Sequence, residues 1–193
     1  MYSEFEIYHI YNQGNDRRVI FSEDENYTFF LSKLRKRFAG IAEILAYCLM
    51  PNHFHLMAKP TAFGVEASKS SVPGVDRKLF ISNMSVAVQG LASGYAQSYN
   101  KMYGRSGSLF RQKTKAKPTG NINIETGLLI EPSYTRNCFD YVHLNPVEAN
   151  FVNHPSEWQF TSYHEYGGWT NGDNICNVEL GLRLLSLNQA DFK

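Results

Sequence analysis

The chain has 193 residues, the size of one domain or of one domain with a tail. Hydrophobic residues make up 43% and aromatic residues 14%, enough apolar mass to bury a core, which excludes wholesale disorder. The net charge is +1, from 19 basic and 18 acidic residues, so any nucleic-acid surface has to be local rather than global.

Along the chain, apolar residues alternate from Phe5 to Tyr11, which predicts a first strand. A loop from Asn12 to Arg18 follows. Ser22 and Glu25 have capping-box spacing and open a helix with the stripe Tyr27, Phe30, Leu31, Leu34 and Phe38. Ile41 to Leu49 is almost wholly apolar and predicts a central strand. Pro51-Asn52 turns the chain into a returning strand, His53 to Lys59. The stretch 61–78 shifts to Gly, Ser and Pro and is expected as a mobile loop. A long helix is expected from about Leu79 to Tyr103, on the stripe Phe80, Met84, Ala87, Val88, Leu91 and Tyr95. Gly90 and Gly94 weaken it by roughly 1 kcal/mol each. Tyr95, Tyr99 and Tyr103 recur every four residues, as core more than as a stacking platform. Leu109 to Pro118 predicts a further strand. After the turn-rich Thr119-Gly120-Asn121, a short helix is expected to end near Asn145. Gly167-Gly168, Asn171-Gly172 and a terminal helix around Val178 to Leu187 complete the pattern. The order predicts an α+β fold, a ferredoxin-like or RRM-like split βαββαβ antiparallel sheet with an added helix. Residues 1–167 are read as the main domain and 168–193 as a C-terminal tail.

The three cysteines, Cys48, Cys138 and Cys176, are scattered and lack CxxC spacing. They argue against a disulfide framework and fit a reducing cytosol. Met1-Tyr2-Ser3-Glu4 has no secretory n-region, and the longest apolar run, Ile41–Met50, is too short to span a bilayer. A cytoplasmic protein without a membrane partner is expected.

Three constellations could carry chemistry. His53-Phe54-His55 on a strand points both imidazoles to one side and Phe54 to the other. Two neutral imidazoles suit a divalent cation, and two ordinary half-buried histidines are the plainer alternative. Tyr141 and Asn145 are four apart, on one helical face, and Pro146 is expected to end the helix there. That joins a phenol to a hard amide oxygen suited to Mg²⁺ or Mn²⁺; a buried Tyr and an Asn cap is the plainer reading. Arg111, Lys113, Lys115 and Lys117 recur at every second position, which on a strand makes one cationic face. Lys101 and Arg105 extend a stretch that has no acidic residue. Such a stripe suits a phosphate backbone, or equally an edge strand that uses lysines against aggregation. Arg17 and Arg18 could reach phosphates. His9, His143, His154 and His164 have no partner at metal-ligand spacing. No G-x-x-x-x-G-K, H-E-x-x-H or G-x-S-x-G motif is present.

Taken together, these residues resemble the HUH transposases that use a single tyrosine, above all the REP-associated tyrosine transposases. The resemblance is carried by Leu49-Met50-Pro51-Asn52-His53-Phe54-His55-Leu56 and by Tyr141-Val142-His143-Leu144-Asn145-Pro146-Val147 with Ala149 and Val152. Tyr8-His9-Ile10 with Asn15, Arg17, Arg18 and Phe21, then Gly107-Ser108-Leu109-Phe110 and Pro155 to Tyr166, add to it in the same order. Glu148 and Asn150 depart from the family's usual basic residue and glycine. The resemblance implies that Tyr141 attacks a phosphodiester of single-stranded or hairpin DNA and forms a 5′-phosphotyrosine. It implies that His53, His55 and Asn145 hold one divalent ion, Mg²⁺ or Mn²⁺, and that the protein acts as a monomer or homodimer. It leaves open a domesticated relative that binds structured nucleic acid without cutting it. A phosphoesterase using activated water would leave Tyr141 idle.

Overall fold

A computed structural model of the chain describes residues 1–70, 79–170 and 174–192. The elements are β1 (Glu6–Gln13), α1 (Asp24–Phe38), β2 (Ala42–Met50), β3 (His53–Pro60), α2 (Ala62–Val65), β4 (Ala67–Ser70), β5 (Leu79–Ser82), α3 (Asn83–Met102), β6 (Lys115–Asn121), α4 (Pro132–Glu148), α5 (Tyr163–Gly167) and α6 (Val178–Leu185). The main sheet has the order β2-β3-β1-β6, and its strand pairs are antiparallel. With α1 between β1 and β2 and α3 between β3 and β6, this is the split βαββαβ arrangement expected from the sequence.

Alternation along the strands makes two faces. Phe54, Leu56, Tyr8 and Ile10 are buried on the first, where α1 and α3 pack through ring contacts such as Phe30–Phe54 at 5.0 Å and Phe30–Tyr95 at 5.3 Å. α1 opens at Glu23, whose side chain forms a capping box with Asn26, rather than at the Ser22–Glu25 pair. Asn26 Oδ1 still accepts from the Ser22 amide at 3.0 Å, so Ser22 contributes from outside the cap. α1 and α3 lie close together at Gly90 and Gly94. A Cβ on Gly90 would come within 2.9 Å of Arg37 Nη1, and one on Gly94 within 3.5 Å of Lys33 Nζ. Helix propensity given up at these glycines makes room for α1 side chains across α3.

Several boundaries differ from the sequence expectation. β2 is an edge strand, not a central one. It reads as almost wholly apolar because the C-terminal third covers its edge. Leu49 N–H donates to Phe160 O at 2.9 Å, Ser162 N–H to Tyr47 O at 2.9 Å and Asn177 N–H to Ile44 O at 2.8 Å. The Tyr166 hydroxyl donates to Leu45 O at 2.6 Å. A covered edge escapes the charges that exposed edges use against aggregation. Buried Glu165 anchors this closure, accepting from the Tyr47 hydroxyl at 2.9 Å and from the Ile175 and Cys176 amides at 3.0 and 2.7 Å. Phe192 packs on Phe139, Tyr163 and Tyr166. The described part of stretch 168–193, set apart above as a tail, therefore shares the main core. Asn171-Gly172 lies outside the described residues.

Of the stretch expected as a loop, residues 61–70 form α2 and β4, and β4 pairs antiparallel with β5; residues 71–78 lie outside the described residues. The long helix starts at Asn83 with Ser82 as its N-cap, so Phe80 belongs to β5. The late strand is shorter and later than Leu109–Pro118, and Thr119-Gly120-Asn121 belongs to it rather than to a turn. Lys113 has φ +62, which breaks any strand there. α4 does not stop at Asn145 but runs through Pro146 to Glu148. Proline in a helix interior costs about 3 kcal/mol, but Val142, His143, Asn145 and Pro146 are all buried, and that packing holds the turn. The chain leaves the helix with Asn150 at φ +57, a left-handed conformation that asparagine tolerates better than most residues. No helix among the described residues is long and apolar enough to cross a membrane.

Candidate active site

The second sheet face carries the chemistry. Tyr11 pairs with His55 and Gln13 with His53 across β1 and β3. On the other side Tyr11 pairs with Lys115 and His9 with Lys117. Residues directly opposed in an antiparallel ladder share a face, so His9, Tyr11, His53, His55, Lys115 and Lys117 do so. α4 crosses the histidine face, in contact with β2, β3 and β6. Tyr141 and Asn145, one turn apart on that helix, come down over the two imidazoles.

The Tyr141 ring lies 5.3 Å from the His55 ring and 6.1 Å from the His9 ring, edge-on to both. It is 40% exposed, whereas His55 and Asn145 are 5% and 7% exposed. A cavity of about 360 Å³ opens here, lined by Tyr11, Asn12, Gln13, His53, His55, Arg111, Gln112, Lys113, Lys115 and Tyr141. No carboxylate lines it. A second cavity of about 570 Å³ shares His53 and Arg111 with the first and adds Arg17 and Phe151.

The donor atoms are close-set. His53 Nε2 lies 3.0 Å from Asn145 Oδ1, and Asn145 Nδ2 lies 3.5 Å from His55 Nε2. Asn52 Nδ2 donates to the Arg17 carbonyl at 3.3 Å, which turns Asn52 Oδ1 toward His53 Nδ1 at 2.6 Å. Both ring nitrogens thus face amide oxygens, and a neutral His53 can donate to only one of them; a proton on Nδ1, toward the closer Asn52 oxygen, is the form that leaves Nε2 free. Burial lowers the His53 pKa, against a smaller upward pull from Asn145, so the ring is mainly neutral at pH 7. With the proton on Nδ1, the Nε2 lone pair and the Asn145 oxygen stand 3.0 Å apart. Adjacent ligands at about 2.1 Å from an octahedral ion stand about 3.0 Å apart. The pair therefore fits a small hard cation. Among the described residues no cluster of three His, Cys, Asp or Glu side chains forms a metal site; this set reaches three members only through an amide.

The Tyr141 hydroxyl is not pre-ionised: burial raises its pKa, while a hydrogen bond with Asn145 pulls it down by less. Burial pushes His55 well below the ordinary imidazole value, helped by His53 and His9. Both rings are uncharged near neutral pH, the form a metal requires.

The cationic residues divide. Arg111, Lys113 and Lys115 reach the cavity wall and Arg17 the adjoining one. Lys117 sits beside Tyr11, its Nζ 5.9 Å from the ring centre. The single alternating face expected from Arg111 to Lys117 is not formed, because only Lys115 and Lys117 lie on β6. Arg18 is turned to Asp16 at 3.7 Å and to the Asn15 carbonyl. Lys101 lies in the last turn of α3 and Arg105 just beyond the helix, its guanidinium 5.9 Å from the Tyr99 ring centre, and neither lines these two cavities.

Sequence reading missed three residues here. His9 Nε2 lies 2.9 Å from His55 Nδ1, although His9 has no partner by spacing. Asn52 Oδ1 lies 2.6 Å from His53 Nδ1. Buried Asn12 donates to the Arg111 carbonyl at 3.2 Å and to Thr114 Oγ1 at 3.0 Å, latching the basic loop to β1. For His9 the signal is cross-strand register, which a linear pattern does not carry; Asn52 sits in the turn directly before His53, and the partners of Asn12 lie in the loop before β6.

No protein-family model matches the chain, and no curated protein matches it. Among solved structures, the chain is similar to a REP-associated tyrosine transposase solved bound to a REP hairpin. The TM-score is 0.57 and the identity 16%, over 91% of this chain and 86% of that one. At that identity the likeness speaks for the fold: over nearly its whole length, this chain has the α+β fold on which a tyrosine transposase is built.

Proposed function

We propose that the chain is a metal-dependent tyrosine DNA strand transferase of the REP-associated kind, acting on single-stranded or hairpin-flanking DNA. One observation carries the reading. Tyr141, His53 and His55, from distant stretches of chain, border one cleft together with Arg111, Lys113 and Lys115, and Asn145 lies within reach of both imidazoles beside it. The similar structure, solved with a REP hairpin, supports the same choice of partner.

In this reading the Tyr141 oxygen attacks phosphorus, the P–O3′ bond breaks, and its electron pair leaves on O3′. The phenolic proton ends on that oxygen, giving a 5′-phosphotyrosine and a free 3′-hydroxyl. The phosphotyrosine keeps one ester bond for another, so the 3′-hydroxyl can reseal the strand. His53 Nε2, His55 Nε2 and Asn145 Oδ1 would hold Mg²⁺ or Mn²⁺, which would supply Lewis-acid withdrawal of charge from a phosphate oxygen. Asn145 also steadies the developing phenolate through its hydrogen bond. Arg111, Lys113 and Lys115 neutralise the flanking phosphates, and Tyr11 offers a ring on which a base can stack.

A second reading, a binder that does not cut, draws on the raised Tyr141 pKa and on Lys115 and Lys117 occupying an edge strand. A denaturing gel separates the two. With Mn²⁺ and a labelled single-stranded hairpin oligonucleotide, a transferase gives a shifted covalent band that vanishes in Tyr141→Phe. Binding without cleavage selects the second reading, and cleavage that persists in Tyr141→Phe rejects the tyrosine mechanism.

A further inference from the structure

Against His55 stands one more histidine than the reading above uses. His9 stands on the central strand β1 and its ring stacks against His55, with centres 5.0 Å apart and planes inclined by 24°. Its Nε2 lies 2.9 Å from His55 Nδ1. Two imidazole nitrogens at that distance share one hydrogen: one ring donates, the other accepts.

The direction of that bond decides what His55 can do. If His9 donated, the His55 proton would sit on Nε2 and point toward Asn145 Nδ2, 3.5 Å away. Two N–H groups would then confront each other in a buried site, and His55 would have no lone pair to offer. If His55 donates from Nδ1, its Nε2 lone pair faces the Asn145 amide hydrogens, and both contacts are satisfied. The second arrangement is the one that satisfies both His55 contacts.

Resting on the metal reading above, we infer that His9 is a positioning residue: its Nε2 accepts the Nδ1–H of His55 and holds the His55 Nε2 lone pair toward the cation position. Metal-bound histidines are ordinarily held in this way by a carboxylate or a backbone carbonyl. Here no carboxylate lines the cleft. A neutral imidazole fixes the tautomer without placing a negative charge beside an incoming phosphate. The other neighbours of His9 keep it in register: its ring lies 4.8 Å from that of Tyr11, and across the ladder it faces Met57 and Lys117.

The test reads tautomer and metal affinity separately. Long-range ¹⁵N–¹H correlation spectra of the metal-free full chain, labelled at histidine, report which His55 nitrogen carries the hydrogen. The wild type should show His55 as the Nδ1–H form. His9→Ala should release it to a mixture of forms, and His9→Gln, which returns an acceptor to the same place, should restore it. Mn²⁺ affinity, followed from the spin signal of the free ion, should fall about 10- to 100-fold in His9→Ala and recover most of that in His9→Gln. His55 protonated on Nε2 in the wild type would overturn the inference. So would a His9→Ala protein that binds Mn²⁺ like the wild type while His53→Ala does not. If wild type and His53→Ala bind Mn²⁺ alike, the reading of the metal site falls instead, and the spectra alone then uphold or overturn the role of His9.

Discussion

Counterion release gives the cleft a quantitative signature. Lys113 and Lys115 are exposed, line the cavity wall and have no acidic neighbour there. If each neutralises one phosphate of a single strand, each adds about 0.7 to the slope of log affinity against log salt. Lys113→Gln with Lys115→Gln should then flatten the slope by about 1.4. Between 50 and 200 mM salt the wild type should lose about sevenfold more affinity than the double variant. The comparison removes fold effects if a second pair, Lys33→Gln with Lys36→Gln, is measured beside it. Those lysines sit on α1 beside Asn83 and Val86 of α3, and that helix pair packs on the opposite sheet face, so the slope should stay put. Fluorescence anisotropy with a labelled hairpin oligonucleotide carrying single-stranded flanks is sufficient. An unchanged slope in the Lys113/Lys115 variant, or an equal change in the control pair, would place the nucleic acid elsewhere and refute the argument.

Other outcomes follow from the same geometry. Mn²⁺ at a hundred times its dissociation constant should stabilise the fold by about 2.7 kcal/mol, or roughly 5–10 °C in a thermal melt for a chain of this size; His53→Ala should erase the shift. His143 is buried with its pKa held down to about 3 by loss of solvation. Its ring resists protonation in the fold while the unfolded chain takes up a proton below about pH 6.5, so stability present above that pH is lost as pH falls toward 3. At pH 4 the loss from this ring is about 3 kcal/mol, and denaturant titrations should show it reduced in His143→Gln. Glu165→Ala should cost about 1–3 kcal/mol for the buried Cys176 amide left unpaired, and less for the half-buried Ile175 amide. Glu165→Gln, which can still turn an oxygen to those amides, should keep most of the stability.

Much of this architecture is legible in the sequence because it follows local periodicity. The Tyr27, Phe30, Leu34, Phe38 stripe and the alternation of β1 and β3 give the split arrangement, and His53-Phe54-His55 and Tyr141–Asn145 each mark one face of one element. What periodicity cannot show is what lies across from an element. β2 reads as central because nothing in Ala42–Met50 indicates that Phe160, Ser162 and Asn177 close its edge. The break at Lys113 is hidden because its alternation with Arg111 and Lys115 imitates a strand. Pro146 reads as a stop, since the burial that holds the helix through it is tertiary. His9 looks solitary in sequence because its partner is forty-six positions away, joined to it by strand register alone.

The most direct measurement of the central claim is a mass map of the covalent product. The protein is incubated with Mn²⁺ and the hairpin oligonucleotide, then digested with nuclease and trypsin and sequenced by tandem mass spectrometry. The account predicts a nucleotide mass on the peptide containing Tyr141, attached at that residue, and none on any other tyrosine. Cleaved DNA with an unmodified Tyr141 peptide, or a nucleotide carried by a different side chain, would contradict it.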